Sequence, residues 1–245
     1  MTAHEPTAPG STLLLLTAAT KELAALAAAW PGVETTEEDF AALETGGGVL
    51  LAKSGVGKVN AAIATLRLLP RHEPASIVSI GLCGALPARD QTLAIGDIVL
   101  ATASVYADEG VATPEAFKSL DEIGFPPGGR DFAGSSLAPD RVLFERLANA
   151  LGGQARRGVV ATVSTCSGTD ARAAEIARRT GAIAEAMEGA AVGHAAARSG
   201  RGRVRFAELR VVSNTTGDRA RQRWDFPLAF RRMTDVARLI GDHLR

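Results

Sequence analysis

Short apolar runs alternate with helical patterns along most of this 245-residue chain, and this alternation constrains the fold most. The apolar runs predict buried strands at residues 12–17, 49–52, 76–80, 95–101, 159–163 and 209–212. Alanine-rich or amphipathic segments predict helices at residues 21–30, 58–69, 140–151, 171–179 and 227–244. Alternating strands and helices predict an α/β fold, in which helices flank a largely parallel or mixed sheet.

The chain length fits one large α/β domain. Residues 1–10 are polar and carry no apolar segment of a secretory signal, so we expect a disordered tail followed by one domain over residues 11–245. Residues 108–139 are rich in Gly, Pro and acidic residues and predict a long loop. Such a loop is either a binding segment or a tolerated surface insertion.

The balance of charges excludes two classes of partner. Lys and Arg together number 27, as do Asp and Glu, so the net charge is zero. A protein that binds a nucleic-acid backbone needs a basic surface, and a polybasic membrane contact needs one too. No segment approaches the roughly 20 apolar residues that span a bilayer. We therefore expect neither a nucleic acid nor a membrane as partner.

Cysteine and histidine are too few and too scattered for a metal site. The two cysteines, Cys83 and Cys166, lie far apart among small or apolar neighbours, which predicts free thiols and a cytoplasmic protein. The four histidines form no i, i+4 pair and no cluster with cysteine. We expect no metal and no cofactor.

Polar side chains at the ends of apolar runs indicate a ligand site. Glu188 follows one apolar run and precedes a helix of small residues, while Arg210 and Asn214 end another run. In open α/β sheets, ligands bind in the crevice at the carboxyl ends of the strands. A carboxylate there can hold two neighbouring ribose hydroxyls, and an amide can read the edge of a base. This pairing predicts a small-molecule nucleoside as the ligand.

Two further features have both a structural and a functional interpretation. Glu22 lies in the first turn of a predicted helix, where an acid either caps the helix dipole or serves as a general base at the mouth of a site. Gly81, Cys83 and Gly84 follow a predicted strand. Glycines there let a flat ligand approach backbone N–H groups, although a simple turn explains them equally well.

Taken together, these residues resemble the superfamily of nucleoside phosphorylases and nucleosidases. The matching segments run in order across nearly the whole chain and are 17–23 (TAATKEL), 54–61 (SGVGKVNA), 81–86 (GLCGAL), 96–99 (GDIV), 185–190 (EAMEGA) and 210–214 (RVVSN). The resemblance implies a single domain with a central mixed, partly barrel-like sheet flanked by helices. It also implies a homo-oligomer, a dimer or higher, because relatives complete their sites with a loop of a neighbouring subunit.

The resemblance also implies a role for individual residues. Glu22 matches the carboxylate that activates the attacking water in the nucleosidases, and Glu188 matches the carboxylate that holds the ribose 2′ and 3′ hydroxyls. Met187 matches a methionine packed against the sugar. Arg210 matches an arginine that helps to fix Glu188 and the water.

The chain departs from the adenine-specific nucleosidases at the base. Those enzymes have an aspartate that protonates purine N7 where this chain has Asn214, whose amide cannot serve as an acid but can donate and accept hydrogen bonds. Next to it, Ser213 belongs to the same motif. The segment Ser167, Gly168 and Thr169 replaces the aromatic residue that stacks on adenine. Both departures favour a 6-oxopurine such as hypoxanthine, and they leave N7 protonation to Asp218 or to a water.

Within the superfamily the chain resembles the futalosine hydrolases most. Residues 108–120 resemble their substrate-proximal loop, and residues 213–219 with 224–225 resemble their C-terminal signature. Futalosine carries a benzoate beyond the ribose, and arginine suits bidentate recognition of a carboxylate. The candidates for this contact are Lys118, Arg219, Arg221 and Arg223, although the arginines also fit a solvated or subunit-interface face.

The function that the resemblance implies is hydrolysis of the N-glycosidic bond of futalosine, which releases hypoxanthine and dehypoxanthinylfutalosine. A phosphorylase needs cations for phosphate, whereas Glu22 in the first loop would repel an anion. The alternatives are a methylthioadenosine/adenosylhomocysteine nucleosidase, a purine nucleoside phosphorylase and a non-catalytic nucleoside sensor on the same fold. A sensor has no need of a water-activating carboxylate.

Overall fold

Strands and helices alternate as predicted in the computed structural model, which describes residues 12–88, 92–128, 132–200 and 204–244. The strands are β1 (Leu13–Thr17), β2 (Ala42–Glu44), β3 (Val49–Lys53), β4 (Ser76–Ala85), β5 (Ile98–Tyr106), β6 (Gly110–Ala112), β7 (Phe117–Ser119), β8 (Phe132–Ala133), β9 (Ser136–Leu137), β10 (Ala155–Thr162), β11 (Ala182–Ala186) and β12 (Arg205–Thr215). The helices are α1 (Thr20–Ala27), α2 (Lys58–His72), α3 (Arg141–Ala150), α4 (Asp170–Thr180), α5 (Gly189–Arg198) and α6 (Phe226–His243). The predicted tail at residues 1–10 lies outside the described residues.

Part of the main sheet closes on itself. The strands β4, β11, β10, β5 and β12 each pair with the next, and β12 pairs back with β4, so they form a barrel. The sheet continues from β4 through β1 and β3 to β2. The pairings β12–β4, β1–β4 and β10–β11 are parallel, whereas β11–β4 and β12–β5 are antiparallel. The predicted mixed, partly barrel-like sheet is confirmed.

Helices cover both faces of the open part of the sheet. One core packs α1, α3 and α6 against the sheet through large aliphatic side chains, and a second packs α2 and α5 on the other face. Burying these apolar surfaces is the main favourable term in folding. Within the described residues, none of the helices combines the length and the apolar character needed to cross a bilayer.

Several predicted boundaries were wrong, and the end of β4 matters for the site. Strand β4 does not stop at Ile80 but continues through two glycines to Ala85, because β11 and β12 pair with it on both sides there. Helix α2 continues past Pro70 to His72, where Glu73 ends it in the left-handed conformation. The predicted long loop carries the short strands β6 to β9, of which β6 and β7 form a separate two-stranded sheet.

Candidate active site

The centre of β4 forms the floor of the candidate site, and two glycines mark its ends. Gly81 pairs with Arg210 of β12, and Gly84 pairs with both Asn214 of β12 and Glu185 of β11. Residues directly opposite in paired strands present side chains on one face, so these side chains surround the glycines. We define the charged end, around Gly81, as Glu22, Glu188, Glu208 and Arg210. We define the amide end, around Gly84, as Ser167, Glu185, Ser213 and Asn214.

Glu22 belongs to the charged end, and both of its carboxylate oxygens accept hydrogen bonds. Its Oε2 accepts hydrogen bonds from the Thr17 hydroxyl at 2.8 Å and from the N–H groups of Ala18 and Ala19 at 3.0 Å each. Its Oε1 accepts from the Leu82 N–H at 2.8 Å. Glu22 therefore caps the N-terminus of α1 and also faces the floor of the site, so the two interpretations of this residue are compatible.

The environment of Glu22 raises the pKa of its carboxyl above the ordinary value. Burial raises the pKa of its carboxyl, the hydrogen bond from Leu82 N–H opposes this, and the negative charge of Glu188 raises it further. A Cβ atom on Gly81 would stand 2.9 Å from both Glu22 Oε1 and Arg210 Nη1, so these two groups share one small space. A carboxylate with a raised pKa is suited to accept a proton from water.

Arg210 connects the carboxylates of the charged end. The buried guanidinium donates from Nε to Glu208 at 2.8 Å, from Nη1 to Glu188 at 3.2 Å and from Nη2 to the Ser79 hydroxyl at 3.0 Å. Burial by itself lowers the pKa of Arg210, but the charges of Glu208 and Glu188 outweigh it and keep the pKa above its ordinary value. Buried charges persist in proteins when they are paired in this way.

Glu208 was missed in the sequence analysis, although it lies two residues before Arg210 on the same strand. Its carboxyl is fully buried, accepts from Arg210 and from the Ser104 hydroxyl, and has a pKa raised by burial. A Cβ atom on Gly189 would stand 2.0 Å from this carboxyl. The glycine after Glu188 therefore makes room for Glu208. Period-two alternation along an apolar strand could have revealed that the two charges share a face.

Glu188 precedes α5 and faces Arg210 and the loop before α2. Its Oε1 accepts from the Gly57 N–H at 3.0 Å, and its Oε2 accepts from Arg210 and from the Met187 N–H at 3.3 Å. Met187 is half-buried beside it. Glu188, Arg210 and Ser79 also line a small cavity at the charged end. The structure thus brings together Glu22, Glu188 and Arg210, three of the candidate residues.

Two ion pairs of Lys58, also missed in the sequence analysis, fix the loop whose Gly57 N–H contacts Glu188. Lys58 Nζ lies 2.5 Å from Asp108 and 3.0 Å from Glu109. The other oxygen of Asp108 accepts from the N–H groups of Ser164 at 2.6 Å and Thr165 at 3.2 Å. These contacts tie the Gly57 loop to the ends of β5 and β10. Sequence spacing could not reveal them because the partners are about fifty residues apart.

Asn214 and Ser213 form the amide end on the β12 side. The Asn214 Oδ1 accepts from the Ser213 hydroxyl at 2.8 Å, and Nδ2 donates to the Thr215 carbonyl at 2.9 Å. A β-bulge lies between Val212 and Asn214, where the register with β4 shifts. The bulge directs the amide over Gly84, where a Cβ atom would stand 3.1 Å from Nδ2. The second hydrogen on Nδ2 can therefore serve a ligand.

The segment after β10 forms the opposite wall. Ser167 donates from its N–H to Glu185 Oε1 at 2.8 Å and from its hydroxyl to Oε2 at 2.6 Å. A Cβ atom on Gly168 would have no other atom within 4 Å, and the Thr169 hydroxyl caps the N-terminus of α4. Of the three residues in this predicted binding segment, Ser167 therefore lies at the amide end, whereas the Thr169 hydroxyl is used as a helix cap. Glu185, in an otherwise apolar strand, was missed as a site residue.

Cys83 lies between the two glycines, with its thiol buried. Burial raises the pKa of this thiol to about 12, so it stays neutral. The backbone carbonyl oxygen of Cys83 lies 3.2 Å from the Ser213 hydroxyl, so Cys83 contacts the amide end through its backbone. The other cysteine, Cys166, is exposed beside Ser167, and burial of its sulfur raises the pKa to about 11.

The structure does not bring Asp218 to the amide end. One oxygen accepts from the Asp170 N–H at 3.0 Å, and the other lies 2.5 Å from an Arg221 nitrogen. These two contacts lower the pKa of Asp218 below its ordinary value. An exposed carboxylate with a lowered pKa is a poor proton donor, so the geometry does not favour Asp218 as the acid for N7.

The four cations suggested for a carboxylate tail have different surroundings. Lys118 is exposed on β7, Arg221 pairs with Asp218, and Arg219 lies over the Trp224 ring at 4.7 Å. Arg223 lines an open cavity that continues from the ends of β4 and β12. Among the four, Arg223 therefore has a position beside a cavity that a ligand could enter. Across the described ranges, no group of three His, Cys, Asp or Glu side chains is placed to hold a metal ion.

Comparison with known proteins agrees with the geometry. Residues 12–242 match the family described as the phosphorylase superfamily. A futalosine hydrolase of Acidothermus cellulolyticus is 35% identical over 237 residues, which is 93% of this chain and 89% of the relative. A futalosine hydrolase of Streptomyces coelicolor is 36% identical over 91% of this chain and 92% of the relative.

A solved structure shares the fold over nearly its whole length. It is a 5′-methylthioadenosine/S-adenosylhomocysteine nucleosidase from Neisseria meningitidis in complex with methylthio-immucillin-A. The TM-score is 0.74 at 23% identity, covering 95% of this chain and 97% of the other. At that identity the likeness concerns the fold alone.

Proposed function

The chain belongs to the phosphorylase superfamily, and we propose that it is a nucleoside N-glycosidase that hydrolyses futalosine. The products would be hypoxanthine and dehypoxanthinylfutalosine, a step of the alternative menaquinone pathway. The names of the two relatives at 35% and 36% identity support this substrate. The placement of Glu22 and Glu188 around the buried Arg210, each of whose three nitrogens donates a hydrogen bond within the protein, is the observation that supports the reaction type.

The charged end fits the charge that develops on the sugar. Breaking the C1′–N9 bond builds positive charge on the ribose, and carboxylates aimed at it stabilise that charge. In our proposal Glu188 holds the 2′ and 3′ hydroxyls, and Glu22 accepts a proton from the water that attacks C1′. Met187 would pack against the sugar, since it follows β11 and lies half-buried beside Glu188.

Hydrolysis is favoured over phosphorolysis by the bonding of Arg210. Its Nε, Nη1 and Nη2 all donate within the protein, two of them to carboxylates. Lys53, the other buried cation among the described residues, lies 3.1 Å from Asp39. A phosphate at the charged end would meet three carboxyl groups and a single arginine that is already paired with two of them, which is electrostatically unfavourable.

The amide end fits a 6-oxopurine. Asn214 can donate its second Nδ2 hydrogen to purine N7 or O6, while its Oδ1 is occupied by Ser213. For the benzoate tail we favour Arg223, because its side chain lines an open cavity, over Arg221, which is paired with Asp218. If Arg223→Gln left KM for futalosine unchanged, this assignment would be abandoned.

We also propose that the protein is a cytoplasmic homo-oligomer. Helix α2 and the preceding loop expose Val56, Val59, Ile63 and Leu66, of which Val59 is 72% exposed. Residues 59, 63 and 66 share one helical face, and a contiguous apolar face is typical of an interface. Sedimentation equilibrium of the purified protein tests this, and a monomer at micromolar concentration would contradict it.

A panel of substrates in phosphate-free buffer tests the function. We expect release of free base from futalosine, much less from inosine and little from methylthioadenosine, with no increase when phosphate is added. Glu188→Gln, purified in the same way, controls for a contaminating nucleosidase. Phosphate-dependent release would indicate a phosphorylase, and efficient cleavage of methylthioadenosine would overturn the argument from Asn214.

A further inference from the structure

Over Gly84, the side chain of a glutamate on one neighbouring strand comes close to the amide of an asparagine on the other. Gly84 pairs in register with both Glu185 and Asn214. A Cβ atom on Gly84 would stand 3.6 Å from Glu185 Cγ, 3.1 Å from Asn214 Nδ2 and 2.8 Å from the Thr216 methyl. A side chain at this position would therefore clash with its neighbours. The absence of a side chain on Gly84 lets Glu185 and Asn214 lie close together on one face at the floor of the amide end.

The proposed mechanism leaves this carboxyl unused. Glu185 is 4% exposed, and its hydrogen bonds come from the N–H and hydroxyl of Ser167, which are neutral donors. Burial raises the pKa of Glu185, the opposite of what surface contacts do to Asp218. The other titratable and charged groups around it are Cys83 of β4, Asp108 after β5, Cys166 before Ser167, and Arg172 of α4.

The reaction needs an acid at this end. When the C1′–N9 bond breaks, its electron pair goes to the purine, and an unprotonated purine anion leaves poorly. The amide of Asn214 can hydrogen-bond to the base but has no proton to transfer. A general acid within hydrogen-bond distance typically accelerates such a step by about 10²- to 10⁴-fold.

We propose that Glu185 is the catalytic acid that protonates N7 of the departing purine, an inference that rests on the proposed nucleosidase function. The proton moves from the Glu185 carboxyl to N7 as the C1′–N9 bond breaks, which leaves a neutral base and a Glu185 carboxylate. The water oxygen bonds to C1′ and gives its proton to Glu22. Exchange with solvent then returns a proton to Glu185 and removes one from Glu22. Ser167 holds the carboxyl, and Asn214 holds the base beside it.

The pH profile of kcat for futalosine tests the assignment with Glu185→Gln. In the wild-type protein kcat falls on the alkaline side, as Glu185 loses its proton. The variant keeps the shape of the side chain but has no transferable proton, so kcat drops by about 10²-fold or more and the alkaline fall disappears. Glu145→Gln, an exposed change on α3, is the matched control and keeps the wild-type profile.

A substrate that needs no acid separates catalysis from folding. Futalosine methylated at N7 already carries positive charge on the base, so Glu185→Gln cleaves it at about the wild-type rate. A merely structural role would lower kcat for both substrates by one factor at every pH, and that result, or an unchanged kcat, would overturn the proposal. If the wild-type protein does not cleave the methylated analogue, the assignment of Glu185 is tested by the pH profile of kcat for futalosine. A wild-type protein that is inactive on futalosine refutes the proposed function instead.

Discussion

The charged end and the amide end lie on the same strand but give their buried carboxyl groups different partners. At the charged end Arg210 donates to Glu188 and Glu208, so negative charge is balanced by a buried cation. At the amide end the hydrogen bonds of Glu185 come from the neutral groups of Ser167. In the first arrangement a buried arginine balances carboxylates that face a cationic sugar, and in the second a carboxyl held by neutral donors can supply a proton to a departing base.

Removing the cation of the charged end should have the largest effect. Arg210→Met leaves Glu208 and Glu188 buried without their partner, and breaking a buried pair in this way costs about 3–5 kcal/mol. Urea unfolding measures the loss. Arg238→Met on the exposed side of α6 is the control, and it should change stability by no more than about 0.5 kcal/mol. Equal effects of the two substitutions would contradict a charge-balanced cluster.

Neutralising either carboxylate of the proposed mechanism should abolish most turnover. Glu22→Gln and Glu188→Gln should each lower kcat by at least about 100-fold, because one loses the base for water and the other the partner of the ribose hydroxyls. Glu37→Gln, whose side chain is 85% exposed, serves as control. Because Glu22 also caps α1, thermal unfolding of Glu22→Gln shows whether that substitution has destabilised the protein as well as impaired catalysis. Near-normal turnover by either variant would remove that residue from the mechanism.

The two ends should also differ in how they tolerate an added methyl group. Gly189→Ala places a Cβ 2.0 Å from the Glu208 carboxyl, so it should destabilise the protein by about 1–3 kcal/mol. Gly168→Ala, beside the amide end, has no atom within 4 Å and should change stability by about 0.5 kcal/mol at most. Denaturant midpoints compare the two variants, and the reverse order would mean that the charged end is not tightly packed.

The smallest expected effect is a pH dependence of stability at the amide end. The pKa of Glu185 is raised in the folded state, so the folded protein binds more protons than the unfolded chain between the ordinary and the raised pKa. Stability from this group is therefore lost as the pH rises through that window. The free energy of unfolding should be measured for both proteins at acidic and at neutral pH. Relative to the wild type, Glu185→Gln should be more stable at neutral pH than it is at acidic pH. A pH-independent difference would argue against a raised pKa.

Local patterns were enough for the class of fold and for several candidate residues at both ends of the site. Apolar alternation located the main strands, and Glu188, Arg210 and Asn214 were predicted from the ends of apolar runs. The departure at Asn214 predicted an oxygenated purine before any geometry was known. The fold could be predicted in this way because periodicity and strand ends are properties of neighbouring residues.

Closure of the barrel and the use of its buried acids depended on contacts between distant segments. Nothing in the pattern around Gly84 indicates that Glu185 and Asn214 flank it, since one partner lies on an antiparallel strand and the other on a parallel strand. The sequence determined the alternation of elements and the types of polar groups available. The tertiary structure decided which carboxyl meets an arginine and which does not, because burial and pairing set the charge of each group, and both arise only when remote strands come together.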